Sequence, residues 1–222
     1  MPHLEIQPPE DWKGKSKRGP FGDVIAELDN TIGRLFRVLE LTGIDKETLV
    51  IFTSDNGPAH IYQKPAFPGG QVKPLSGGKG SILEGGFRFP GIFRWPGTIP
   101  GGEVSDEVTS TVDLLTTFVS LCGGEFPDRE VDGVDLSPLL RGQKFNRPAK
   151  APFLYFHRGK LSAIRSGKWK FHTAGKLFDL DIDPGEKEDL AGRFPELSAE
   201  LAQLAETKGK DIEGNSRPLF GK

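Results

Sequence analysis

Thr48-Leu49-Val50-Ile51-Phe52-Thr53-Ser54-Asp55-Asn56-Gly57 is the stretch whose reading sets the architecture. A continuous β-prone, largely apolar run stops abruptly at four residues that all favour turns. A strand apolar on both faces is what a parallel sheet covered by helices requires. Upstream, from Phe21 to Thr42, the residues Ile25, Leu28, Ile32, Leu35, Phe36 and Leu39 recur at spacings of three and four. That spacing predicts an amphipathic helix, with Gly43 as its stop. Helix followed by buried strand predicts an α/β domain in which helices layer onto a mostly parallel sheet.

Downstream, Pro58 to Gly86 carries three Gly-Gly pairs and four prolines without a sustained period, and reads as a long shaped loop. Loops of this length without secondary structure of their own are usually functional or disordered. Phe89 to Trp95 predicts a further strand ended by Pro96. Thr111 to Cys122 predicts a second helix with Leu114, Leu115, Phe118, Val119 and Cys122 on one apolar side. Pro148 to Pro152 marks a boundary between residues 1–150 and 151–222. Beyond it, Phe153 to His157, Ser162 to Arg165, Lys168 to His172 and Leu177 to Leu180 predict an antiparallel meander, and Pro195 to Thr207 a closing helix. The last third therefore reads as a small α+β subdomain.

The composition is that of a folded chain. Of 222 residues, 36% are hydrophobic, and 29 glycines with 18 prolines make loops abundant without reaching low complexity. A net charge of −2 gives no electrostatic reason to expect nucleic acid or an anionic membrane as partner. No apolar run approaches the length of a membrane span. The first residues carry neither the basic nor the apolar segment of a secretory signal. One cysteine, Cys122, excludes an internal disulfide framework and a Cys-rich zinc site. Its place on the apolar side of a helix reads as an inert core thiol.

Asp55 and Asn56 sit where the strand ends, the place in open α/β sheets where ligands gather. A carboxylate and a carboxamide offer hard oxygens suited to calcium or magnesium, and the same four residues equally make an ordinary turn. Lys79, in Gly77-Gly78-Lys79-Gly80, can approach a sulfate or phosphate with little side-chain bulk around it, or be a solvated turn lysine. The surrounding residues do not make a Walker loop, which needs Gly at Lys73 and Ser or Thr at Gly80. His3, His60, His157 and His172 show no metal-site spacing. Asp179, Asp181 and Asp183 lack the Gly and Glu that an EF-hand needs at Pro184 and Leu190, and read as an acidic, solvated turn.

The order and spacing of these segments resemble the sulfatase family of the alkaline-phosphatase-like superfamily. The matching text is Met1-Pro2-His3; Lys13-Gly14-Lys15-Ser16 leading to Gly22-Asp23-Val24 and Glu27-Leu28-Asp29; the strand ending in Ser54-Asp55-Asn56-Gly57; and Gly78-Lys79-Gly80 through Glu84-Gly85-Gly86-Phe87-Arg88-Phe89-Pro90. Ala163 to Lys170 and Leu177-Phe178-Asp179-Leu180 through Glu186 resemble the family's C-terminal subdomain. The resemblance implies a partial catalytic α/β domain over 1–150, a small antiparallel subdomain over 151–222, and sulfate-ester hydrolysis. It further implies that Asp55 and Asn56 are calcium ligands, that Lys79 binds the sulfate group, and that His3 contacts it or helps protonate the leaving oxygen. His60 and Tyr62, in the loop from Pro58 to Lys73, would shape the leaving-group side.

One part of the family pattern is missing. Its nucleophile is a formylglycine made from Cys or Ser in a Cys/Ser-x-Pro-x-Arg signature. Cys122 is followed by Gly where Pro is needed and by Phe126 where Arg is needed, so it is not that residue. The paired aspartates that complete the calcium site are absent too. The expectation is the C-terminal part of a sulfatase, with Met1 an internal methionine, inactive alone and folding poorly alone. Its full-length relatives would be exported to periplasm, lysosome or exterior. The ligand class would be a small sulfate ester or a sulfated glycan; oligomeric state is not read from the sequence. A phosphodiesterase or phosphomutase of the same superfamily, and a non-catalytic binder of a sulfated ligand through the Lys79 loop, remain as alternatives.

Overall fold

The computed structural model describes residues 6–59, 70, 72–126, 128, 131–148 and 151–215. Helix α1, Gly19–Leu41, realises the expected amphipathic segment, with Pro20 in its first turn where a missing N–H costs nothing. Its buried Asp23 accepts the backbone N–H groups of Gly14 (2.8 Å) and Ser16 (2.6 Å), folding the preceding segment back onto the helix. Strand β1, Val50–Phe52, pairs with β2, Ile92–Arg94, and Arg94 ties the pair to α1. The Arg94 guanidinium bonds Asp45 at 2.5 Å and lies 4.4 Å from the centre of the Phe36 ring.

The β1–β2 pair corrects one expectation. It is antiparallel, with Ile51 opposite Phe93, and all three β1 residues are half-buried rather than enclosed on both faces. Parallel pairing needs a long crossover, usually a helix. Between β1 and β2 the described chain forms only one helical turn, α2 (Glu84–Phe87).

Helix α3, Asp113–Leu121, brings a second correction: its buried residues are Asp113, Thr116 and Thr117, while Leu115, Phe118 and Cys122 are exposed. Hydrogen bonding explains the inversion. Asp113 accepts from Ser110, Val134 and Arg147, and Thr117 Oγ1 accepts the Leu136 N–H at 2.9 Å. The polar side thus docks the segment that leads to the single turn α4 (Ser137–Leu140).

Strands β3 (Phe153–His157), β4 (Lys160–Ser166), β5 (Trp169–His172) and β6 (Lys176–Asp179) form the expected meander in sequential antiparallel order. Helix α5, Pro195–Asn215, covers one face. Ile164, Phe171 and Leu177 pack there against Leu201 and Ala205, with Leu197 and Leu204 at the margin. The acidic turn after β6 is only partly solvated. Asp179 is buried and receives Lys168 Nζ at 2.6 Å, whereas Asp183 accepts two backbone N–H groups. Among the described residues no helix is long and apolar enough to cross a membrane.

Ile164→Ala, at a fully buried position of β4, is expected to cost about 2–5 kcal/mol in urea unfolding. Leu115→Gln on exposed α3 should stay within about 0.5 kcal/mol.

Candidate functional site

Two backbone segments meet at the end of β1. The Gly57 N–H donates to the Gly86 carbonyl and the Lys79 N–H to the Pro58 carbonyl, both at 2.9 Å. The Asp55-Asn56 turn and the Lys79 loop are therefore joined on both sides of the turn's exit. The loop closes on itself through Gly85 N–H to Ser76 O (2.8 Å) and Ser81 N–H to Gly78 O (2.9 Å). Glycine is required for this contact: a Cβ on Gly57 would lie 1.9 Å from the Gly85 carbonyl oxygen, and one on Gly86 would lie 2.3 Å from that of Ser81.

Within this frame Asp55 is exposed and Asn56 half-buried. Asn56 donates its Nδ2 to the Gly57 carbonyl at 2.9 Å, which fixes the amide and leaves Oδ1 to accept. Asp55 Oδ1 is 3.4 Å from the Ser54 hydroxyl. Carboxylate and amide oxygens on one anchored turn are a donor set fitting a hard cation in part, since calcium takes 6–8 oxygens. Among the described residues no group of three or more His, Cys, Asp or Glu is placed to hold a metal. Lys79 is exposed and makes no ion pair with another described residue. His3, His60 and Tyr62 lie outside the described residues. A cavity of about 390 Å³ opens beside Asp55, lined in part by Arg88, Phe93, Thr109, Phe153 and Arg165; Lys79 is not on its wall.

Behind the Lys79 loop lies a buried charge cluster that sequence reading passes over. Glu84, fully buried, accepts Tyr155 Oη at 2.7 Å and Lys170 Nζ at 2.9 Å on Oε1, and Arg165 Nη1 at 3.1 Å on Oε2. Glu186 accepts Lys170 on Oε1 (3.1 Å) and His172 Nε2 on Oε2 (2.7 Å). Burial alone pushes the Glu186 carboxyl up, but the hydrogen bond from His172, the Lys170 charge and the Glu84 N–H prevail and hold it below the ordinary 4.5. Burial, followed by the Glu84 charge, raises Tyr155 well above 10, which keeps its hydroxyl a donor. On β5, Trp169 and Phe171 face α5 while Lys170 turns to the loop and His172 to Glu186. That alternation marks the second face in the sequence, but reads equally well as a solvated one.

Residues 3–124 match the family model described as Sulfatase, and residues 78–208 match N-sulphoglucosamine sulphohydrolase, C-terminal. The chain belongs to the sulfatase family. It is 40% identical to N-acetylgalactosamine-6-sulfatase of Mus musculus, with 77% of this chain and 32% of the relative covered. It is 38% identical to human arylsulfatase A, with 88% and 44% covered. The PsFucS1 sulfatase of Pseudoalteromonas sp. superimposes with a TM-score of 0.83 at 26% identity, over 99% of this chain and 48% of that one. Ps i-CgsB, solved in complex with k-i-k-neocarrahexaose, gives 0.83 at 27% identity, over 99% and 49%. The chain thus spans less than half the length of these relatives. Their likeness establishes a partial sulfatase α/β layer with a small antiparallel C-terminal sheet.

Two outcomes follow from this geometry. Gly57→Ala should destabilise by at least about 1–3 kcal/mol, because backbone rather than a side-chain end must yield; urea unfolding checks it. The Glu186 contribution is fully present above pH 4.5, where an unfolded-state carboxyl is also ionised, and is lost as pH falls through the lower folded-state value. Unfolding midpoints of wild type and Glu186→Gln should therefore differ most above pH 4.5 and converge in stronger acid.

Proposed function

We propose that this chain carries part of the active site of a sulfuric ester hydrolase, with Lys79 as the sulfate-binding cation and Asp55 and Asn56 as calcium ligands. The observation that supports this most directly is the pair of backbone bonds joining Lys79 to Pro58 and Gly57 to Gly86, which ties the Lys79 loop to the turn that carries the oxygen donors of Asp55 and Asn56. In this reading His3 contacts the sulfate or protonates the leaving oxygen, and His60 lies on the leaving-group side. Residues 1–150 belong to the catalytic layer and 151–222 form the smaller subdomain.

The chemistry required is charge compensation. A sulfate ester accumulates negative charge on its leaving oxygen as the S–O bond breaks. Calcium, when bound, would offset charge on the sulfate oxygens. Lys79 would bind and orient the sulfate as a compact cation on a short, glycine-flanked loop. An imidazole near neutrality is a competent donor to the leaving alcohol. The formylglycine nucleophile of the family has no source in this sequence, so the chain as given is not expected to turn over substrate. A sulfated glycan or a small sulfate ester is the ligand class. Sulfatase membership of the relatives favours sulfate over a phosphate diester.

Binding and turnover test the reading separately. Lys79→Ala should weaken binding of a sulfated oligosaccharide by about 10- to 100-fold, the loss of one charge-assisted contact of about 1.5–3 kcal/mol. Calcium-dependent hydrolysis of 4-nitrophenyl sulfate by the purified chain, unaffected by Lys79→Ala, would refute the assignment.

A further inference from the structure

The Lys79 loop is gripped from the side opposite the Asp55 turn. Pro74, Ile82 and Glu84 bracket Lys79 in sequence, and the turn after β6 reaches all three directly or through Lys170. A Cβ on Gly185 would stand 3.1 Å from the Pro74 carbonyl oxygen, so the two backbones are almost in contact. Glu186 Oε1 accepts the Glu84 N–H at 2.7 Å. From β5, Lys170 spends one N–H on each of three oxygens: Ile82 O at 2.7 Å, Glu84 Oε1 at 2.9 Å and Glu186 Oε1 at 3.1 Å. The side chains of Lys170, Glu84 and Glu186 are all fully buried. Glu186 makes its contact from a left-handed backbone, φ 54°, a conformation a non-glycine residue adopts at a cost.

Such a cluster is a poor way to gain net stability. Desolvation of the ions consumes much of their attraction, and apolar replacements of equal volume often fold as well. Its physical product is registration: an ammonium with three filled donors tolerates one placement of Ile82 and Glu84, where an apolar contact would tolerate sliding.

We propose that Lys170 and Glu186, acting through Glu84, are positioning residues for Lys79, clasping its loop to the four-stranded sheet so that the loop and the Asp55-Asn56 turn keep one register. The inference rests on the reading of Lys79 as the sulfate-binding cation for its functional meaning, but the clasp itself can be tested without it.

Amide hydrogen exchange of the full chain, resolved by NMR, is the test. In wild type the Lys79 amide, bonded to Pro58, should open together with the Ile164 and Phe171 amides, paired across β4 and β5, and all three should accelerate in parallel with urea. A Lys79 amide that exchanges without responding to urea, while Ile164 and Phe171 respond, overturns the clasp even if no variant folds. Glu186→Gln preserves shape and an acceptor oxygen while removing the charge. It should speed Lys79 exchange by about tenfold or more beyond whatever common acceleration lower global stability brings to Ile164 and Phe171, as expected for loss of about one charge-assisted bond. Equal acceleration at all three positions, or none at Lys79, overturns the proposal. Titration of the same samples with inorganic sulfate should show binding that Lys79→Ala abolishes and Glu186→Gln weakens by about tenfold. Sulfate affinity unchanged in Glu186→Gln overturns the functional role of the clasp. Wild type that binds no sulfate overturns the reading of Lys79, and the exchange data then decide the clasp alone.

Discussion

A lysine ammonium enclosed by two carboxylates and a backbone carbonyl is the constraint on which the rest of the site depends. Lys170 stands on β5, the third strand of the C-terminal sheet, yet its three partners are on the Gly-rich loop and the turn after β6. Burying an isolated ammonium would cost several kcal/mol, so each contact is obligatory for the others. The consequence is geometric. The four-stranded sheet, whose hydrophobic cover is α5, presents its opposite face as a charged mould for residues 82–86. That face fixes a loop some 90 residues earlier in the chain.

Backbone bonds in turn hold the loop to the turn that follows β1. Gly57, Gly85 and Gly86 permit carbonyl oxygens to approach where any side chain would collide. A close backbone contact of this kind resists small displacements because no rotamer change can relieve it. Charges on one side and backbone contacts on the other give Lys79 a fixed base, with a side chain that makes no ion pair with another described residue. This is the combination that anion recognition by a single cation needs, since the cost of ordering the loop is met before the ligand arrives.

Much of this was legible in the sequence, and the gaps have physical causes. The 3.6-residue period of α1 and the alternating, Gly-punctuated strands of the last third are local properties, and both were realised nearly to the residue. The strand ending in Asp55 was readable as a strand, but its partner's direction depends on the path of a long intervening segment, and continuous apolar character cannot reveal that. Helix α3 was assigned an apolar inward face because Leu115 and Phe118 carry the period. The inward face is instead polar, because Asp113, Thr116 and Thr117 each find a backbone partner from the 134–136 segment. Lys170, Glu84 and Glu186 lie in segments that carry the family resemblance, but their mutual contact comes from docking between distant segments, and no spacing in the chain encodes it. Asp55, Asn56 and Lys79 stood out because glycines and turn residues mark places where the backbone is doing something unusual.

The inversion of α3 has a practical side. It leaves the chain's single thiol, Cys122, exposed at the C-terminal end of that helix. One thiol in the sequence means that a maleimide probe attaches at one point per chain, giving a reporter on α3 without a background of other thiols. The same stoichiometry limits air oxidation: two chains can join through one bridge, and the product has no further thiol with which to grow.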